Sequence, residues 1–194
     1  MNGATLLSEP LAKVQWNPRI LSKPLKNATV DDIKPKLLGV VTARGGSKGI
    51  PLKNLYPIAG APLIYYCITN AQRSGIFDRL IISTDDDRIA EVAVNYGVER
   101  PFKRPVELAK DDTPHFEVIK HALALVPGYD YVAIIQPTAP LIQGFHWQEA
   151  WELLLAKEGD SIISVMETPH KFHPLKALVE DERGYLINPI HRRM

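Results

Sequence analysis

Short apolar runs recur between stretches of helical periodicity, and this alternation constrains the chain more than any other feature. Leu37-Leu38-Gly39-Val40-Val41, Leu80-Ile81-Ile82, Tyr131-Val132-Ala133-Ile134-Ile135 and Ser161-Ile162-Ile163-Ser164-Val165 each have the length of a strand and no consistent polar face. That is the pattern of strands buried on both sides. Between them, Ile64, Cys67, Ile68 and Ala71 share a helical face within residues 62–73, and a second helix is expected from the Asp85-Asp86-Asp87 run to Tyr96. Phe116, Ile119, Leu123 and Val126 mark a third helix, with Thr113 as its N-cap and Pro114 as its first residue. Trp147, Ala150, Trp151, Leu154 and Leu155 mark a fourth. Strands alternating with helices predict an α/β fold, a mainly parallel sheet with helices on both faces. Near the end, Lys176–Val179 and Tyr185–Ile187 around Glu182-Arg183-Gly184 predict a hairpin.

The pattern begins only at Leu37. Residues 1–36 carry four of the 16 prolines, with six basic side chains against three acidic ones. They read as an N-terminal leader, extended or weakly ordered, ahead of a domain spanning 37–194. Over the whole chain 23 basic residues balance 22 acidic ones, for a net charge of +1. This balance gives no argument for nucleic acid or a membrane as partner. No apolar run approaches the roughly 18 residues of a membrane helix. Cys67 is the single cysteine, so no intrachain disulfide can form. The expected location is the cytoplasm. With the leader set aside, residues 37–194 are slightly acidic, so any anion site there must be local.

Ligands of such sheets bind beyond the carboxyl ends of the strands. The first strand leads into Thr42-Ala43-Arg44-Gly45-Gly46-Ser47-Lys48-Gly49-Ile50-Pro51-Leu52-Lys53-Asn54. Glycines allow the backbone to turn its N–H groups around an anion, while Arg44, Lys48 and Lys53 supply three positive charges with no acid between them. A polyphosphate is the natural occupant, since hydrogen bonds to charged groups are worth roughly 1.5–3 kcal/mol each. The spacing matches neither the P-loop nor the dinucleotide G-x-G-x-x-G, and Pro51 and Pro57 predict an irregular loop instead of an immediate helix. The third strand ends in Gln136-Pro137-Thr138-Ala139-Pro140-Leu141, a rigid loop whose Gln136 and Thr138 can donate and accept hydrogen bonds. A base edge, a sugar or a plain Pro-rich turn all suit it.

Ala43-Arg44-Gly45-Gly46-Ser47-Lys48-Gly49-Ile50-Pro51 with Lys53-Asn54 resembles the signature of the acylneuraminate cytidylyltransferases, the CMP-sialic acid synthetases. Ser83-Thr84-Asp85, Arg104-Pro105-Val106-Glu107-Leu108-Ala109, Gln136-Pro137-Thr138-Ala139-Pro140 and His173-Pro174-Leu175-Lys176 resemble later blocks of that family, in the same order. The related Kdo cytidylyltransferases have a different first loop, which favours the sialic-acid-like branch. The resemblance implies a Rossmann-like nucleotidyltransferase fold and transfer of CMP from CTP to the anomeric hydroxyl of a nine-carbon 2-keto sugar acid, releasing pyrophosphate. It implies that Arg44, Gly45, Gly46, Ser47, Lys48 and Lys53 hold the triphosphate, with Arg44 and Lys53 acting in the transfer. By the same resemblance Asn54 meets the cytosine or its ribose, Arg104 joins the nucleotide pocket, and Gln136, Thr138 and Lys176 serve the sugar acid. It further implies Mg²⁺ and a homodimer. Family members continue to a late Asp-x-Asp segment that holds the metal, so the metal ligands are expected beyond Met194.

Some positions depart from the family pattern. Ala139 and Ile142 stand where members carry Ser and Arg, and His115 stands where many carry a small hydroxyl residue. Other groups read more simply as structure. Asp85, Asp86 and Asp87 suit a helix N-terminus, with Asp85 bordering the pocket, and Cys67 suits core packing. His121 suits a helix surface, and Trp147 and Trp151 suit a core or an interface. His170 and His173 lack a third ligand for zinc, and Arg192 with Arg193 forms a basic end. The rival reading is a truncated, non-catalytic nucleotide-binding module that keeps the triphosphate cradle without turnover. A P-loop phosphotransferase is disfavoured by the loop's spacing.

Overall fold

The first apolar run becomes β1 (Leu37–Thr42), the middle strand of a three-stranded parallel sheet in a computed structural model of the protein. Residues 34–165, 167 and 178–187 are described. They belong to two compact units, residues 24–161 and a second that includes 162–194.

In the larger unit, β1 is followed by a single 3₁₀ turn at Lys53–Leu55 and a small antiparallel pair, β2 (Pro57–Ile58) and β3 (Ala61–Pro62). Next come α1 (Leu63–Ser74), β4 (Arg79–Ser83), α2 (Asp87–Asn95), α3 (His115–Leu125), β5 (Tyr131–Ile135) and α4 (Gly144–Ala156). The strand order is β4-β1-β5.

Strand alternation sorts the side chains to two faces. Val41 of β1, Ile82 of β4 and Ile135 of β5 pack with Ile64, Cys67, Ile68 and Ala71 of α1 and Ile89 and Ala93 of α2. Leu38, Val40 and Ile81 point the other way and pack with Ile119, Ala122 and Val126 at α3. Leu37 meets Trp151 and Leu154 of α4, where Trp151 stacks edge-on to Tyr131. Helices therefore cover both faces, as the sequence predicts. Cys67 is buried in this core, and burial pushes its thiol up to about 12, away from reactivity.

Three local expectations are corrected. Ser161–Val165 is not a strand: it has no ladder partner among the described residues, and Ile163 is 80% exposed. An apolar run becomes a buried strand only with a neighbour on its edge and cover on its faces. The buried face of α3 is Val118, Ile119 and Ala122, while Phe116 is 70% exposed. Apolar residues on adjacent helix faces leave the phase open to periodicity alone, and the sheet selects one. Thr113 does not cap α3. Pro114 occupies the cap position in an extended conformation, and the Thr113 hydroxyl donates instead to the Glu107 carbonyl at 3.4 Å.

In the smaller unit, β6 (Val179–Glu180) and β7 (Leu186–Ile187) form the expected hairpin, turned by Gly184 at φ 82°. Among the described residues no helix is long and apolar enough to cross a membrane.

Candidate active site

Parallel register aligns the strand ends, pairing Thr42 with Ser83 and Val41 with Ile135. The loops leaving β1, β4 and β5 therefore converge at one edge of the sheet. Between them lies a pocket of about 220 Å³ lined by Arg44, Ser47, Lys53, Asn54, Arg104, Gln136 and Thr138, seven of the expected site residues. Gly45, Gly46 and Lys48 belong to the same loop but do not line the cavity. Lys176 lies outside the described residues, as do His170, His173, Arg192 and Arg193.

The loop after β1 is built by specific contacts. The Gly45 N–H donates to Asp85 Oδ1 at 3.0 Å, and the Ser47 N–H donates to the Gly45 carbonyl at 3.0 Å. Leu52 sits in the left-handed region at φ 49° and reverses the chain into the 3₁₀ turn, a strained conformation for a branched residue. The reversal brings Asn54 back, buried, with Nδ2 donating to the Arg44 carbonyl at 2.9 Å. Asn54 is thus a clamp on the backbone of Arg44, a role its sequence position did not reveal. Replacing Asn54 by Ala leaves that carbonyl without its donor. The expected loss is about 1–3 kcal/mol in urea denaturation, and Asn54→Asp should not rescue it, since an ionised carboxylate cannot donate. A loss under about 0.5 kcal/mol would show that the clamp carries no weight.

The acidic run after β4 divides its labour. Asp86 caps α2, accepting from the Arg88 N–H at 2.9 Å and the Ile89 N–H at 3.4 Å. The Arg88 guanidinium and these amides hold its carboxyl below the usual range. Asp87 pairs with Lys103 at 2.7 Å and with Arg100. Asp85 borders the pocket loop through Gly45.

Arg104 is the most constrained cation of the site. It is 5% exposed, and its Nε donates to Ser83 Oγ at 3.0 Å while Nη2 donates to the Ser83 carbonyl. Burial pushes its pKa down to about 10, against the pull of Asp85 and with the push of Arg44. Neither Arg104 nor Lys53 is within ion-pair distance of a carboxylate among the described residues.

Sequence reasoning missed Asp111, which also lines the pocket. Its carboxylate binds Lys48 Nζ at 2.5 Å and the Arg44 guanidinium, and these cations hold it below the usual carboxylate range. No acid lies within the loop's sequence; the chain supplies one from the segment before α3. The Arg104–Ala109 block leads directly to Asp111 and was the available signal. His115, at the start of α3, lies 3.2 Å from Gln136, Nε2 to Nε2, so the two share a hydrogen bond across the pocket.

Among the described residues no group of three or more His, Cys, Asp or Glu is placed to hold a metal ion. The two nearest carboxylates are committed, Asp85 to Gly45 and Asp111 to Lys48 and Arg44. These residues do not by themselves fit a Mg²⁺ site.

A parallel α/β sheet with a cationic pocket at its carboxyl edge defines a phosphate-binding protein of the nucleotide-handling class. The cytidylyltransferase family model matches residues 38–182, and the chain belongs to that family. The pseudaminic acid cytidylyltransferase of Campylobacter jejuni is 34% identical over 160 residues, covering 80% of this chain and 69% of that protein. The N-acylneuraminate cytidylyltransferase of Oncorhynchus mykiss is 37% identical over 137 residues, covering 71% of this chain and 32% of its own length. A solved CMP:2-keto-3-deoxy-manno-octonic acid synthetase complexed with CTP shares the fold, with a TM-score of 0.55 and 21% identity. That match covers 63% of this chain and 48% of the other. The chain thus spans about two thirds of the first relative, a third of the second and half of the solved structure. The expected family and the Rossmann-like nucleotidyltransferase fold both stand.

Proposed function

We propose that this chain forms the CTP-binding part of an enzyme that transfers CMP from CTP to the anomeric hydroxyl of a sialic-acid-like, nine-carbon 2-keto sugar acid. The observation that carries the reading is the convergence of Arg44, Lys53 and Arg104 with Gln136 and Thr138 in one pocket, in a chain of the cytidylyltransferase family. In the reaction the sugar hydroxyl oxygen bonds to the α-phosphorus. The bond from that phosphorus to the bridging oxygen breaks, the electron pair leaves on pyrophosphate, and the hydroxyl proton passes to solvent. Catalysis of this kind is positioning plus neutralisation of the leaving charge. Arg44 and Lys53 lie where they can meet that charge, and Ser47 and the loop backbone can hold the phosphates. Arg104 supplies a fixed, dry positive charge beside them. Asn54 acts through Arg44, whose carbonyl it holds. Gln136 and Thr138, from the loop after β5, are the groups for the sugar acid; the assignment of Lys176 to it rests on the family resemblance alone. Mg²⁺ dependence and a homodimeric full-length form belong to the same reading and rest on the family resemblance; a cytoplasmic location belongs to it too and rests on the sequence pattern.

Pyrophosphate release from CTP tests it, with Mg²⁺ present and a panel of N-acetylneuraminate, pseudaminate and the eight-carbon acid Kdo. The expected result is weak CTP binding and poor turnover by this chain and, by the full-length enzyme, release stimulated by a nine-carbon acid in preference to Kdo. CTP binding with no release for any acid would favour the non-catalytic binding module. Absence of CTP binding would sink both.

A further inference from the structure

Resting on the polyphosphate reading of the cradle, we propose that Asp111 is an exchangeable counter-anion. It neutralises Arg44 and Lys48 when the cradle is empty, yields them to the entering triphosphate, and reclaims them to expel pyrophosphate.

The geometry supports each part. Asp111 reaches both cations at once, through one oxygen to Arg44 and the other to Lys48. A carboxylate and a phosphate are alternative partners for the same guanidinium and ammonium donors. The two cannot share them without bringing like charges together. The pairs are accessible: the Asp111 side chain is 38% exposed and that of Lys48 is 84% exposed. Exposed pairs are weak and can exchange with a ligand, unlike buried ones.

The segment that carries Asp111 is also lightly held. It follows a 3₁₀ turn at Val106–Leu108 that buries no residue, and Thr113 is tied only by two contacts of 3.4 Å, to Lys110 and Glu107. Few bonds have to break for the carboxylate to withdraw. Among the described residues Arg104 and Lys53 have no carboxylate at ion-pair distance, so the cradle keeps a net positive charge with Asp111 in place and can still attract a polyphosphate. An enzyme that releases pyrophosphate from a cationic cradle must avoid binding that product too tightly. A tethered anion raises the off-rate without removing the cations that stabilise the leaving group.

Calorimetric titration of the full chain with inorganic tripolyphosphate tests the idea. Asp111→Asn is expected to bind about 3- to 10-fold tighter than the unsubstituted protein. The gap should shrink at high salt, and Asp111→Glu should restore the original affinity. Pyrophosphate should become a stronger product inhibitor of Asp111→Asn by a similar factor. Equal or weaker binding by Asp111→Asn overturns the proposal while leaving the cradle intact. If Arg44→Ala binds tripolyphosphate as well as the unsubstituted protein, the cradle itself fails and the exchange with it. A second measurement needs no substitution. In carboxyl NMR, saturating tripolyphosphate should raise the Asp111 titration midpoint towards the ordinary carboxylate range, and an unmoved midpoint also overturns the exchange.

Discussion

An Arg104→Met variant is expected to bind CTP roughly 10- to 100-fold more weakly while melting at or above the temperature of the unsubstituted protein. The two effects have one cause. Arg104 is a cation held in the protein interior with hydroxyl and carbonyl partners and, among the described residues, no carboxylate at contact. Burial lowers its pKa to about 10, well below the ordinary arginine range, so folding disfavours its charged form. That penalty is present in full below pH 10 and is relieved only as pH climbs through 10 towards the ordinary arginine range. At about 1.4 kcal/mol per unit it is on the order of 3 kcal/mol at neutral pH. Methionine removes the penalty and fills similar space. The Ser83 carbonyl keeps the Ala43 N–H at 3.1 Å, while the buried Ser83 hydroxyl loses Nε, a cost of about 1–3 kcal/mol that the relieved penalty offsets. What disappears is the charge beside the proposed phosphate site, and one charge-assisted hydrogen bond is worth roughly 1.5–3 kcal/mol. Calorimetry for melting and titration with CTP measure the two halves separately. A variant that melts well below the original and keeps its CTP affinity would show Arg104 to be a strut and not a ligand.

Arg104 also shows what a sequence can and cannot disclose. Its block pointed to the nucleotide pocket, but its burial could not be seen, because burial depends on Ser83 and Thr84 lying beneath it at the end of another strand. The strands themselves were legible. Tyr131–Ile135 has the predicted bounds but not the expected burial on both faces, since it ends the described sheet and Ile134 is 40% exposed. β1, apolar and buried nearly throughout as the middle strand of a covered sheet should be, and β4 extend their predicted bounds by a residue at the ends. Helix existence was legible for the same reason, and helix phase was not. Phe116 and Val118 are both apolar, and only the sheet decides which is buried. Ser161–Val165 fails because a strand is a relation between segments, and its own composition supplies only half of it. The cationic loop announced itself because its charges are contiguous. Asp111 did not, because an ion pair formed across the fold leaves no local pattern. Asn54 was marked by its place in the motif, yet its bond to the Arg44 carbonyl follows from the reversal at Leu52.

Gly45→Ala should cost about 1–3 kcal/mol of stability and weaken CTP binding by at least about 10-fold, whereas Gly46→Ala should stay within about 0.5 kcal/mol of the original. In the sequence the two glycines are neighbours with the same apparent purpose. In the fold they differ. A Cβ at Gly45 falls 2.8 Å from both Cβ and Oδ2 of Asp86, while one at Gly46 meets nothing within 4 Å. Asp86 cannot turn aside cheaply, since its other oxygen caps α2 and its Oδ2 pairs with Arg88 at 2.6 Å. Losing that cap alone costs about 1 kcal/mol. The alternative is for the loop to lift, which breaks the Gly45 N–H bond to Asp85 and moves Arg44, the preceding residue, off its aim. Either response couples the start of α2 to the phosphate cradle, so stability and affinity should fall together at Gly45 and neither should fall at Gly46. Urea denaturation and CTP titration of both variants decide the matter. Similar losses at the two positions would mean that the glycines serve backbone freedom in the cradle, and that contact with Asp86 is not what requires glycine at residue 45.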